Sequence, residues 1–135
     1  MAGLATTLRA SRNQLVLDAL DAGSSGALIE AYTAPQPATG GAVGSATLLG
    51  TMTCSDPAGT TTNGVLTLDT IADDVSADAT GDIAWCRVTD SDGNFVIDLT
   101  AGVSGSGKDI IFTTLSVVAG GVIKMTSCVI SEGNA

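Results

Sequence analysis

The chain holds no histidine, so its side chains lack the commonest general base, the commonest metal ligand and the near-neutral proton switch. What remains for chemistry is a set of aspartates, three cysteines, many hydroxyls and one lysine-bearing glycine loop. A serine or threonine nucleophile would need a lysine or a carboxylate as its base, and nothing in the sequence sets up such a pair. Gly102-Val103-Ser104-Gly105-Ser106-Gly107-Lys108 has the GxxxxGK spacing of a phosphate-binding loop. Asp109 stands where that motif needs a hydroxyl for magnesium, and it would repel a phosphate. Ile110-Ile111-Phe112-Thr113-Thr114 then reads as a strand where the motif needs a helix. The spacing predicts a flexible Gly/Ser loop and no nucleotide.

Asp90-Ser91-Asp92-Gly93-Asn94 carries the oxygens of a calcium loop in the wrong order. Its glycine comes too early, and Ala101 falls where a bidentate glutamate belongs. Asp, Gly and Asn are turn residues in their own right, so this segment reads as a hairpin. Asp69, Asp73, Asp74, Asp78 and Asp82 make the densest acidic run; Val75, Ala77 and Ala79 between them add no ligand, so it reads as a solvated connection. Cys54, Cys86 and Cys128 are odd in number and widely spaced, without a CxxC pair. They predict neither a disulfide framework nor a zinc site, but buried free thiols made in a reducing compartment. Paired carboxylates for glycoside hydrolysis are available in number, yet Tyr32, Trp85, Phe95 and Phe112 are too few for a sugar platform. Trp85 reads as a core anchor. The expectation is no enzyme, no metal and no cofactor.

These residues must sit on one domain, since the chain has 135 residues. Hydrophobic residues are 44% and aromatics only 3%, so small and branched aliphatics must fill the core. The net charge of −9 argues against nucleic acid, whose phosphates need a basic surface. No apolar run approaches the roughly 20 residues that cross a bilayer, and no secretory leader is expected at the start.

Capping-box spacing at Ser11 and a glycine at Gly23 predict a helix over 12–22, with Leu15, Val16, Ala19 and Leu20 toward the core. Residues 1–22 form an N-terminal arm and helix, and 23–135 the body. Short alternating runs follow at 27–33, 47–54, 64–71, 83–89, 95–100, 110–114 and 122–131. About seven strands separated by turns predict an all-β fold, an antiparallel β-sandwich with one short helix. Leu66, Leu68, Trp85, Val88, Phe95, Ile97, Ile111 and Val129 are expected inside. Arg9 and Arg12 precede the first acid, Asp18, and so form an isolated basic patch on an acidic chain. Arg12 near the helix start and Asp21 near its end would oppose the helix dipole. With Leu4 and Leu8 on a shared helical face, Leu4, Leu8, Arg9 and Arg12 are the candidate partner-binding residues.

The segments LIEAYTAPQPAT, LLGTMTCSDPA, WCRVTDSDGN and VISEGNA, in this order, resemble a family of small structural proteins of tailed bacteriophages. The resemblance covers nearly the whole chain and is closest to capsid cement, or decoration, proteins. It implies a jelly-roll-like sandwich on the outside of an HK97-like head, with the major capsid protein as partner. It also implies a homo-oligomer, dimer or trimer, on the virion exterior after synthesis in the host cytoplasm. A tail, neck or fibre component and an adhesive or carbohydrate-binding module are the other readings.

Overall fold

A computed structural model describes residues 3–69 and 71–131 of the chain. Strand is the main regular structure among the described residues, at 41%, with one helix, α1 (Thr6–Leu20). Helix α1 starts before the expected residue 12. Ser11, read as its cap, lies inside it and donates its hydroxyl to the Thr7 carbonyl at 3.0 Å, the back-bond of a mid-helix serine. Ala5 precedes the helix without a side-chain cap, so local sequence does little to set the start and docking sets it. The docked stripe is Asn13, Leu17 and Leu20, at i, i+4, i+7. Asn13 donates its amide to the Ile130 carbonyl at 3.3 Å, which satisfies a buried polar side chain. Leu15, expected on the core side, is instead 69% exposed.

The strands are β1 (Leu28–Tyr32), β2 (Leu48–Cys54), β3 (Gly59–Thr62), β4 (Val65–Leu68), β5 (Ile71–Ala72), β6 (Gly81–Asp82), β7 (Trp85–Thr89), β8 (Phe95–Val103), β9 (Ile110–Phe112), β10 (Ser116–Val117) and β11 (Met125–Ser131). Nine of them form one curled sheet in the order β3-β4-β11-β9-β8-β7-β1-β2-β5, and β10 pairs with β6. Two expectations change. Asn63 and Gly64, both at positive φ, close a two-residue hairpin that makes β3 a strand of its own. The sheet is also mixed and not purely antiparallel, because β8 and β9 run parallel with Ala101 opposite Ile110.

That parallel step needs no crossover helix. The chain doubles back over Gly102, where a Cβ would strike the Ser106 hydroxyl. The Ser106 N–H donates to the Val103 carbonyl at 3.0 Å. Asp109 then accepts both the Thr100 N–H, at 3.0 Å, and the Thr100 hydroxyl, at 2.9 Å. The GxxxxGK segment is a built return between two strands, pinned by the carboxylate that spoils it for phosphate.

The core lies inside the curl, and α1 closes one side with Leu17 and Leu20. Cys54 on β2, Cys86 on β7 and Cys128 on β11 are buried free thiols. All three belong to one core cluster, so the two wings of the sheet face each other across it. Leu66, Leu68, Trp85 and Val88 are buried as expected, and Ile97 and Ile111 are half-buried. Phe95 and Val129, expected inside, are 43% and 39% exposed. On β11 the inward phase belongs to Cys128 and Ile130, which turns Val129 out. A register shift between Val88 and Thr89 puts Phe95 on the outer side of the sheet, beneath the Arg87 guanidinium.

Candidate interaction surfaces

The structure splits the four residues expected to bind a partner. Leu4 is half-buried and precedes α1, so it does not share a helical face with Leu8. Arg9 turns toward the body: its Cβ would sit 2.8 Å from a Cβ at Gly64, and its Nη2 donates to the Thr6 hydroxyl at 3.4 Å. Leu8 is 49% exposed and Arg12 is exposed in mid-helix, away from the positive end of the helix dipole. Asp21 at the helix end is engaged, accepting the Ala58 N–H at 2.9 Å. Of the two charges expected to oppose the helix dipole, Arg12 does not, whereas Asp21 at the C-terminal end does, and the Ala58 N–H offsets it. What α1 presents outward is Leu8, Arg12 and Leu15, a second i, i+4, i+7 stripe on the side of the helix away from the docked one.

A second apolar surface comes from the acidic run, which is not a simple loop. Asp74 and Ile123 form an antiparallel bridge, and the Ala77 N–H donates to the Gly121 carbonyl at 2.8 Å. Asp74 clamps this pairing to β2: one carboxylate oxygen accepts the Thr51 N–H and the other the Ser76 N–H, each at 2.9 Å. Next to the bridge lie Val75 and Val122, 72% and 58% exposed, with Val118 at 65% in the adjoining turn. Asp73, Asp78 and Asp82 stay exposed along the run. Among the described residues, no group of three or more Cys, Asp or Glu is arranged to hold a metal ion.

The outer face of β1, β7 and β8 gathers the aromatics. Tyr32 and Trp85 stack with centroids 4.8 Å apart, and the Arg87 guanidinium lies 5.3 Å from the Trp85 ring. Burial alone would raise the Asp98 carboxyl, but the Arg87 hydrogen bonds, the Gly40 N–H and the Arg87 charge outweigh it and hold the group below its ordinary range. The segment between Thr33 and Thr47 covers this face as a closed loop, its ends joined by the Thr33 N–H to the Thr47 carbonyl at 3.1 Å. Trp85 is fully buried and donates its indole N–H to the Thr33 carbonyl at 2.9 Å, so it anchors the fold and offers no platform to a sugar.

The hairpin at Asp90 is as expected. Its carboxylate accepts the Asp92 and Asn94 N–H groups and the Asn94 amide, each at 2.9 Å. Where β4 and β11 splay apart, a groove of about 410 Å³ opens beside Asp69, Asp73 and Lys124. No protein-family model, curated protein or solved structure matches the chain. The stripe on α1 and the valine patch are thus the surfaces that stand out. Sequence reasoning missed Leu15 and all three valines; Leu8, Arg12 and Leu15 share their spacing with the docked stripe, so periodicity gave no signal for the first.

Proposed function

We propose that this chain is a structural protein of a tailed-phage virion, a cement protein that coats the head through the major capsid protein. The observation that carries the reading is the outward stripe of α1, Leu8–Arg12–Leu15, on a helix whose opposite side is locked into the core. Exposed leucines around an arginine suit a protein interface better than solvent. The resemblance of the APQPAT, CSDPA and WCRVTDSDGN segments to cement proteins supports the same reading. In it, the curled sheet acts as the two-layer, jelly-roll-like body that such a protein needs, with homo-oligomers standing on the shell. Binding to assembled shell and not to free subunits would stabilise the shell by mass action.

Gold-labelled antibody to the chain tests this on intact virions. Label spread over the head is expected. Label confined to the tail or neck moves the protein to those structures, and unlabelled virions overturn the reading altogether.

A further inference from the structure

We infer that the segment 34–46 is a strap latched at one point, which lifts off the outer face of β1, β7 and β8 while the rest of the fold stays closed. The inference goes beyond the virion reading and does not rest on it. Residues 34–46 carry no charged side chain, and most of them are exposed. Among the described residues, Gly40 makes the one hydrogen bond from this segment to the rest of the chain, from its N–H to Asp98 Oδ2 at 2.9 Å. The latch oxygen is shared, since Arg87 Nη2 donates to it at 3.0 Å.

The base of the strap is held by more. The Thr33 N–H donates to the Thr47 carbonyl at 3.1 Å, and the Thr47 N–H donates to the Thr33 hydroxyl at 2.8 Å. The Thr33 carbonyl also accepts the Trp85 indole N–H at 2.9 Å. A loop tied firmly at its ends and once at its tip opens from the tip, with its hinges at the ends. At the tip, Gly40 has φ of +70°, and a Cβ there would stand 3.2 Å from Phe95 Cε2. The closed strap therefore lies on the Phe95 ring as well as on Asp98. Lifting it bares Phe95 and the Arg87–Asp98 pair and leaves Trp85 bonded at the base. The ion pair survives the move, because both of its bonds run between β7 and β8 and use no strap atom. The strap is thus a local unit that masks the Arg87 guanidinium where it lies over the Trp85 and Phe95 rings.

Hydrogen exchange of the native full chain, followed by NMR in rising sub-denaturing urea, tests this. A proton freed by lifting the strap exposes little surface, so its exchange should hardly respond to urea. One freed by unfolding the body should respond steeply. The Gly40 N–H and the Arg87 Nε–H beneath the strap should behave in the first way. The Ile29 amide, in a strand paired on both sides, and the Thr33 amide at the base should behave in the second. Ile130→Val on β11 lies outside the covered face and weakens the open and closed forms alike. It should speed exchange at Ile29 roughly two- to tenfold and leave Gly40 and Arg87 unchanged. Gly40→Ala strains the closed strap and should speed the Arg87 Nε–H about tenfold. Gly40 exchange that follows Ile29, in urea or in Ile130→Val, overturns the inference, for the strap then leaves only with the fold. A Gly40 N–H that exchanges like an unstructured chain overturns it too, since no latch is then closed. If Gly40 is flat in urea while Arg87 tracks Ile29, a single bond flickers and the strap stays down, which sinks the inference as well.

Discussion

Arg87 on β7 and Asp98 on β8 meet in a two-pronged ion pair, Nε to Oδ1 at 2.8 Å and Nη2 to Oδ2 at 3.0 Å. The Asp98 side chain is 1% exposed, and it also accepts the Gly40 N–H at 2.9 Å. One carboxylate therefore ties two strands together and holds down the loop that covers them. Taking such a pair out of water is costly, and it persists because both oxygens and the guanidinium are satisfied.

Asp98→Ala leaves Arg87 with no counter-charge beneath the covering loop. A broken buried pair of this kind loses about 3–5 kcal/mol, and the partial exposure of Arg87 favours the lower end. Urea unfolding should show the loss, and amide exchange at Gly40 should speed up. A loss under about 1 kcal/mol would mean that the pair behaves like a surface one.

Stability should be flat near neutrality and fall in acid. With no histidine, no side chain has its ordinary pKa between about pH 5 and 8. Asp98 is held low as described, and Asp90 is held low by the Asn94 amide and the N–H groups of its turn. A carboxylate depressed on folding adds stability that is fully present above its unfolded pKa, about 4, and is lost as pH falls through its folded value. Melting temperatures should thus hold steady down to about pH 5 and drop below about pH 4. In Asp98→Asn the acid drop should be shallower.

The thiols should be silent in the folded chain. Burial pushes Cys54 up to about 11 and Cys128 up to about 12, and raises Cys86 as well. The reactive thiolate is therefore scarce at pH 8, and the sulfurs are covered. An aromatic disulfide reagent should titrate no thiol in buffer and all three in denaturant. Fast labelling of one thiol in buffer would place that cysteine on the surface.

How much of this was legible in the sequence depends on the range of the determining contact. The Asp90–Asn94 hairpin was legible because its own side chains build it. Trp85, Leu66, Leu68 and Val88 were legible from alternation. The parallel step from β8 to β9 was not, since it depends on the backbone of Gly102 lying against Ser106. Phe95 was misplaced by a register shift, and alternation carries no mark of one. On α1, Leu8–Arg12–Leu15 and Asn13–Leu17–Leu20 have the same spacing, so periodicity cannot choose which stripe docks. Asn13 decides it through the carbonyl of Ile130, more than a hundred residues away. The valine patch was hidden inside an acidic run whose pairing with residues 118–123 is also made between segments distant in sequence.

The Asn63-Gly64 turn was a local signal passed over, and it links the β3–β4 hairpin to the position of α1. Gly64 has φ of +83°, and a Cβ there would stand 2.8 Å from the Arg9 Cβ. Gly64→Ala should therefore act twice, through a left-handed backbone that costs about 1–2 kcal/mol and through a push against the first turns of α1. Gly93 separates the two effects. Its φ is +89°, and nothing lies within 4 Å of where its Cβ would be. Gly93→Ala should lose only the backbone part, and its α1 amides should exchange as in the parent chain. Gly64→Ala should lose more in urea unfolding and should speed exchange at Ala10 to Asn13. Equal losses in the two variants, with α1 exchange unchanged, would show that the Arg9 contact gives way freely and does not position the helix.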